Sequence, residues 1–134
     1  MKLTLRSEYA LLALIHLARH RGDDFLTVES IAAERGIPYR FLEQILLALK
    51  RGRYVKSAKG KHGGYRLARV PDAITLAEII RFLDGALAPT ESVSRYFYES
   101  TPVEKERTLL VLFKEIRDFV SDKLEGTTLA DISR

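Results

Sequence analysis

Cysteine is absent from this chain of 134 residues. That excludes disulfides, thiolate nucleophiles and any metal site built on thiolate. No apolar run approaches the roughly 20 residues that span a bilayer. The start, a lone Lys2 ahead of an amphipathic pattern, lacks the form of a signal peptide, so a cytoplasmic protein is expected. Low-complexity tracts and internal repeats are also missing. Acidic residues are missing locally: between Lys50 and Arg69 there is none, against Lys50, Arg51, Arg53, Lys56, Lys59, Lys61, Arg66, Arg69 and the titratable His62. The net charge of +4 is therefore unevenly spread, and this stretch is an electrostatic footprint for an anionic polymer. Hydrophobic content of 46% supports a real core, and the length suits one domain, or one domain with an appended helix.

The segment from Thr27 to Gly64 has the most definite pattern. Thr27 is placed to cap a short helix whose Val28, Ile31 and Ala32 share a face. Ala32 is small enough to let a second helix cross closely. Gly36 ends the first helix, Ile37 plugs the turn, and Pro38 suits the first turn of the next. Phe41 or Leu42, with Ile45, Leu46 and Leu49, gives the second helix its buried stripe. Tyr39, Arg40, Glu43, Gln44 and Lys50 occupy its outer face. Two helices joined in this way present the second, by its N-terminal end, to a DNA major groove.

Tyr54–Ser57 and Tyr65–Arg69 then alternate like two short strands. Between them lies a tip with three glycines, Lys59, Lys61 and His62. Directly after a helix-turn-helix, a basic hairpin is expected to touch DNA as a wing. The predicted fold is mainly α: a winged helix-turn-helix with a small two-stranded wing and a long C-terminal helix.

An amphipathic first helix is expected from Leu3 to about His20, capped by Thr4 or Ser7. Its apolar positions are Leu5, Tyr9, Leu12, Ala13, Ile15, Leu17 and Leu11 or Leu14. Residues 21–24 form its exit loop. Thr75 and Glu78 form a capping box for a helix through Ile79, Ile80, Phe82 and Leu83 that stops at Gly85. The least regular stretch follows, with Tyr96, Phe97 and Tyr98 expected in the core or at a dimer contact. Thr101-Pro102-Val103-Glu104 then reads as the start of a helix of about 22 residues, roughly 33 Å long, reaching Leu124. Val103, Leu109, Leu112, Phe113, Ile116, Phe119, Val120 and Leu124 mark its stripe, and a short turn of helix follows Thr127. Such a stripe exceeds what a small core can cover, so a second copy of the helix is the expected cover, with packing inside one subunit as the alternative. A two-fold pair would match a palindromic DNA site. The division is 1–85 for DNA binding, 86–101 as a connecting or sensor segment, and 102–134 for dimerisation.

Enzymatic chemistry has little support. His16 and His20 share a helix face, but no third ligand accompanies them, and His20 near a helix C-terminus is better accounted for by the dipole. Asp23 and Asp24 read as a solvated loop pair. The glycines at 60–64 lead into a strand, the wrong context for a phosphate loop. No nucleophile elbow or acid–base pair is present. The rival to DNA binding is a protein-interaction module pairing through the long helix. A scaffold of that kind has no need of so many cations without one acid.

LTLRSEYALLALIHLA at the start, IP…FLEQIL in the second helix of the motif, KGKHGGYRLA in the wing and TTLADI near the end resemble the Rrf-type winged-helix transcription regulators, the family of the IscR, NsrR and CymR repressors. The likeness covers nearly the whole chain. It implies a homodimeric DNA-binding regulator, a repressor, with Pro38, Tyr39, Arg40, Glu43 and Gln44 at the reading positions. It implies Lys59, Lys61 and His62 at the wing contact, and Lys2, Thr4 and Arg6 gripping the DNA backbone. The dimer contacts would be Leu109, Leu112, Phe113, Ile116, Phe119 and Val120. Many members hold an iron–sulfur cluster on three cysteines between the fourth and the long helix. Here that segment has Ser92, Ser94 and Ser100, so a thiolate-bound cluster is excluded and no cofactor is expected. Two readings stand: a cluster-free branch that answers to a small molecule or a partner protein, or a chain in which serine has replaced cysteine.

Overall fold

Four threonines set where helices begin. In the computed structural model, which describes residues 1–20 and 22–134, Thr4, Thr27, Thr75 and Thr128 each accept a hydrogen bond from a backbone N–H three residues on. They open α1 (Leu5–Arg19), α2 (Val28–Arg35), α4 (Leu76–Asp84) and α6 (Leu129–Ile132). Between α2 and α4 lie α3 (Tyr39–Arg51) and the antiparallel strands β1 (Val55–Ala58) and β2 (Gly64–Leu67). Arg21, expected in the exit loop of α1, lies outside the described residues.

One core joins α1, α2, α3, the wing and α6 through Ala13, Leu14, Ile31, Leu42, Ile45, Leu49, Val55 and Leu129. α1 buries Ser7, Ala10, Ala13, Leu14 and Leu17, whereas Leu5, expected inside, is 57% exposed. Thr4 at the head of α1 donates through its hydroxyl to Asp84 Oδ1 at the tail of α4, 2.8 Å away. The final helix folds back: Leu129 N–H donates to Ile74 O at 2.8 Å, and Leu76 N–H donates to Thr127 O at 2.9 Å.

The wing differs from expectation by a residue at its start. Tyr54 precedes β1 and is buried, with its ring edge-on to Phe82 at 5.5 Å. Ala68 and Arg69 lie beyond β2. Leu26 adds an unexpected third rung beside β2, exchanging both backbone hydrogen bonds with Tyr65 at 2.8 and 2.7 Å. That rung explains Gly64: at φ +137°, a Cβ there would overlap the Leu26 carbonyl. This glycine serves the fold, not a partner.

The long helix is shorter than predicted. The capping box of Thr101 and Glu104 forms, but it closes a single 3₁₀ turn, Pro102–Lys105. Thr101 is tied sideways, donating to Ser92 Oγ at 2.6 Å and lying 3.1 Å from Thr90 Oγ1. The chain bends at Glu106 (φ −126°, ψ 105°), and α5 runs Arg107–Glu125, 19 residues. Only Ser121 of α5 is fully buried. Val120 and Leu124 pack on Ala77, Ile80 and Leu87, which attaches α5 to the body.

Tyr96, Phe97 and Tyr98 are not core residues of this subunit: they are exposed by 69%, 43% and 60%. The segment carrying them is polar-bonded instead. Arg95 pairs with Asp118 at 2.9 Å, Asp122 at 3.2 Å and Glu125 at 3.3 Å, and Arg81 both pairs with Glu125 at 2.7 Å and covers the Tyr96 ring.

Candidate nucleic-acid interface

The turn between α2 and α3 is built by Gly36 in the left-handed region (φ 64°, ψ 36°). Ile37 fills the space beneath, nearly inaccessible, with its N–H donating to Ala32 O at 3.0 Å. Pro38 sits one position earlier than predicted, as the N-cap of α3 (φ −57°, ψ 129°). Its side chain offers no capping bond, and no acid stands in the first turn of α3. The first N–H groups there are left to an outside acceptor, and the dipole favours a negative one. Leu42, Ile45, Leu46, Ala48 and Leu49 hold the helix to the core. Phe41 is half-buried, edge-on to Tyr9 at 5.4 Å.

On the opposite side Pro38, Tyr39, Arg40 and Gln44 are exposed and Glu43 is half-buried. The Glu29 charge, partial burial and Glu43 together raise the Tyr39 hydroxyl above its usual pKa, so Tyr39 stays a neutral donor. Lys59, Lys61 and His62 are exposed on the hairpin, and Lys2 and Arg6 at the start of α1. Thr4, placed with them in sequence, already caps α1 and bonds Asp84.

The basic run divides in two. Arg69 is engaged within the fold: it pairs with Glu78 at 2.7 Å, donates to Ala73 O and lies over the Tyr54 ring. Arg66 donates to the Asp23 carbonyl and stacks over Phe25 at 4.7 Å. Lys50, Arg51, Arg53, Lys56, Lys59 and Lys61 have no acid within ion-pair distance among the described residues. Sequence reasoning counted all of these together; sorting them needed the fold. It gave no sign of the backbone at Arg53, the one non-glycine residue with positive φ (64°) among the described residues. Arg53 turns the chain from α3 toward the wing at a cost of about 1–2 kcal/mol.

These cations share one end of the motif with the exposed side of α3, and the comparison with known proteins shows the family to which such a motif belongs here. The Rrf2 family, described as iron-dependent transcriptional regulator, matches residues 3–134. The chain belongs to the Rrf2 family. It is 35% identical over 133 residues to the HTH-type transcriptional regulator CymR of Bacillus subtilis, covering 99% of this chain and 90% of that one. The solved structure of CymR, titled the global cysteine regulator of B. subtilis, superposes with a TM-score of 0.80 at 34% identity, over 99% and 96% of the two chains. IscR of T. potens gives a TM-score of 0.75 at 30% identity, over 98% and 85%. This Rrf2 protein is therefore a DNA-binding transcription regulator with a winged-helix fold, and its family is one of regulators and not of enzymes.

The iron in the family's description does not fit this chain. There is no thiolate to bind it. Among the described residues no group of three or more His, Asp or Glu side chains is placed to hold a metal. The hydroxyls between α4 and α5 are engaged with each other and with the loop: Ser92 accepts from Thr101, and Ser94 Oγ accepts from Phe97 N–H at 3.0 Å. His20 bonds Asp24 Oδ1 at 2.8 Å and so joins the loop pair that was expected to be solvated. Among the described residues no helix is long and apolar enough to cross a membrane.

Proposed function

We propose that this regulator is a cytoplasmic homodimeric repressor that binds a palindromic operator and blocks transcription by occupying it. In this reading α3 enters the major groove, where Arg40 and Gln44 reach base edges. Tyr39 and Glu43 flank them, Pro38 and the open first turn face a phosphate, and Lys59, Lys61 and His62 lie along the backbone or minor groove. Lys2 and Arg6 hold the backbone from α1, with Thr4 fixing their helix. The observation that carries the DNA contact is the set of unpaired cations Lys50, Arg51, Arg53, Lys59 and Lys61 beside an uncapped α3.

The dimer is supported by α5. Leu109, Val111, Leu112, Ile116 and Phe119 are exposed by 39–76% on one helix. Contiguous apolar exposure of this kind marks an association surface. A second α5, with Phe113 and Val120 at the seam's inner edge, would cover it and set two α3 helices for two half-sites. No resident cofactor is proposed; the signal would be a small molecule or a partner protein. The test is a mobility shift on the promoter of the protein's own gene, with unrelated duplex as competitor. A shifted band that survives excess competitor is expected; a band lost equally to any duplex would overturn operator recognition.

A further inference from the structure

A cavity of about 480 Å³ opens beside the wing, between the end of α1, the loop before α2 and the start of the turn after β2. Its volume is that of a small-molecule site. No residue of α3 and none of the tip at 59–63 lines it, so it stands apart from the DNA-facing surface.

Among the described lining residues the two cations are Lys56 and Arg66, direct partners across β1 and β2. Paired residues of an antiparallel ladder share a face with Cβ atoms about 5 Å apart, and like charges there repel. Neither makes an ion pair among the described residues. Lys56 is exposed and has no acid within ion-pair distance among the described residues. Among the described residues Arg66 bonds a carbonyl and a ring, neither of which carries charge. The other ionisable side chains on the described lining are Asp23, exposed at the rim, and His20, bonded to Asp24. The remaining wall includes Leu17, Ala18, Leu67 and Val70.

A repelling cation pair over an apolar wall is complementary to one kind of ligand. We propose that this cavity binds a small organic anion, with its acidic head between Lys56 and Arg66 and its apolar body on Leu17, Leu67 and Val70. The head would join β1 to β2 two residues from each end of the hairpin loop, at Ala58 and Gly64. The site is thus positioned to be where an effector acts on the wing. That consequence rests on the regulator reading, whereas the site itself does not.

The experiment is a titration of the ¹⁵N-labelled full chain, without DNA, with 3-phenylpropionate and with phenyl phosphate, one arm for each acidic head. 3-Phenylpropanol serves as the neutral control. Saturable shifts in the amides of residues 17–20, 56, 66, 67 and 70 are expected with at least one acid. Affinity should fall at least about tenfold for the alcohol and for Lys56→Gln, since each removes a charge-assisted hydrogen bond. Lys56 is exposed and unpaired, so the variant should keep the wild-type spectrum elsewhere. Arg66→Lys, which keeps the charge, should retain binding. No saturable shift with either acid, shifts confined to α5, or equal affinity in Lys56→Gln would each overturn the proposal. Duplex affinity of the same sample without probe tests the regulator reading separately, so either can fail alone.

Discussion

Arg40 and Gln44 stand one helical turn apart on the exposed side of α3, and neither is engaged by another side chain among the described residues. Arg can bond guanine, and Gln adenine, in a bidentate way. Arg40→Ala is expected to cost about 1–3 kcal/mol on the operator and little on random duplex, while Lys61→Ala weakens both alike. Competition titrations on both duplexes check this; equal losses for Arg40→Ala would make it a phosphate contact. Glu78 carries a different kind of weight. It caps α4 through Thr75 N–H at 2.9 Å and holds Arg69. Burial alone would raise its carboxyl, but the Arg69 and Thr75 hydrogen bonds outweigh burial and hold it below the usual 4.5. A carboxyl lowered in the folded state stabilises above its unfolded value and loses that contribution as pH falls through the folded one. Glu78→Ala should cost about 1–3 kcal/mol near neutral pH. The gap should narrow below about pH 4.5. Urea denaturation of both proteins across that range measures it, and a gap independent of pH would contradict the ion-pair account.

At the scale of elements, α5 is the least self-sufficient part of the chain. Ile116 is 39% exposed in the middle of its apolar face. Ile116→Glu should leave the protomer folded and give monomers, because a charge buried against its copy costs several kcal/mol. Operator affinity should fall with it, as two half-sites are no longer linked. Light-scattering mass and a binding curve on one sample check both; a folded monomeric variant with undiminished affinity would show that dimerisation is not needed. Much of the fold was legible because its signals are local. Thr27, Gly36, Thr75 and Gly85 act through hydrogen bonds and backbone angles within a few residues, and α2 to α4 begin and end close to where those residues indicate. What was not legible depends on distant partners. Thr101 bonds Ser92 and lies beside Thr90, and the chain bends at Glu106 before α5; no periodicity reveals either. Tyr96–Tyr98 look apolar in sequence, yet Arg81 and Glu104 hold two of them outward. In the interface, the outer face of α3 was readable from its period. The division of the basic run was not, since the partner of Arg69 lies on α4 and that of Arg66 in the loop before α2.

For the whole molecule, the balance of charge matters more than its total. A net charge of +4 is modest, but no acid lies between Lys50 and Arg69, whereas beside α5 Arg81, Arg95 and Arg117 answer Asp118, Asp122 and Glu125. At the end of α3 and the tip of the wing, Lys50, Arg51, Lys59 and Lys61 make no ion pair among the described residues. This arrangement places one anion-seeking face on each protomer, and a two-fold pair through α5 would point two such faces at one duplex. The most direct measurement is the dependence of operator affinity on salt. If the dimer neutralises about 6–10 phosphates, log K should fall against log salt with a slope of about −5 to −9. A slope near zero would contradict the account, because it would mean that the unpaired cations of α3 and the wing do not meet DNA.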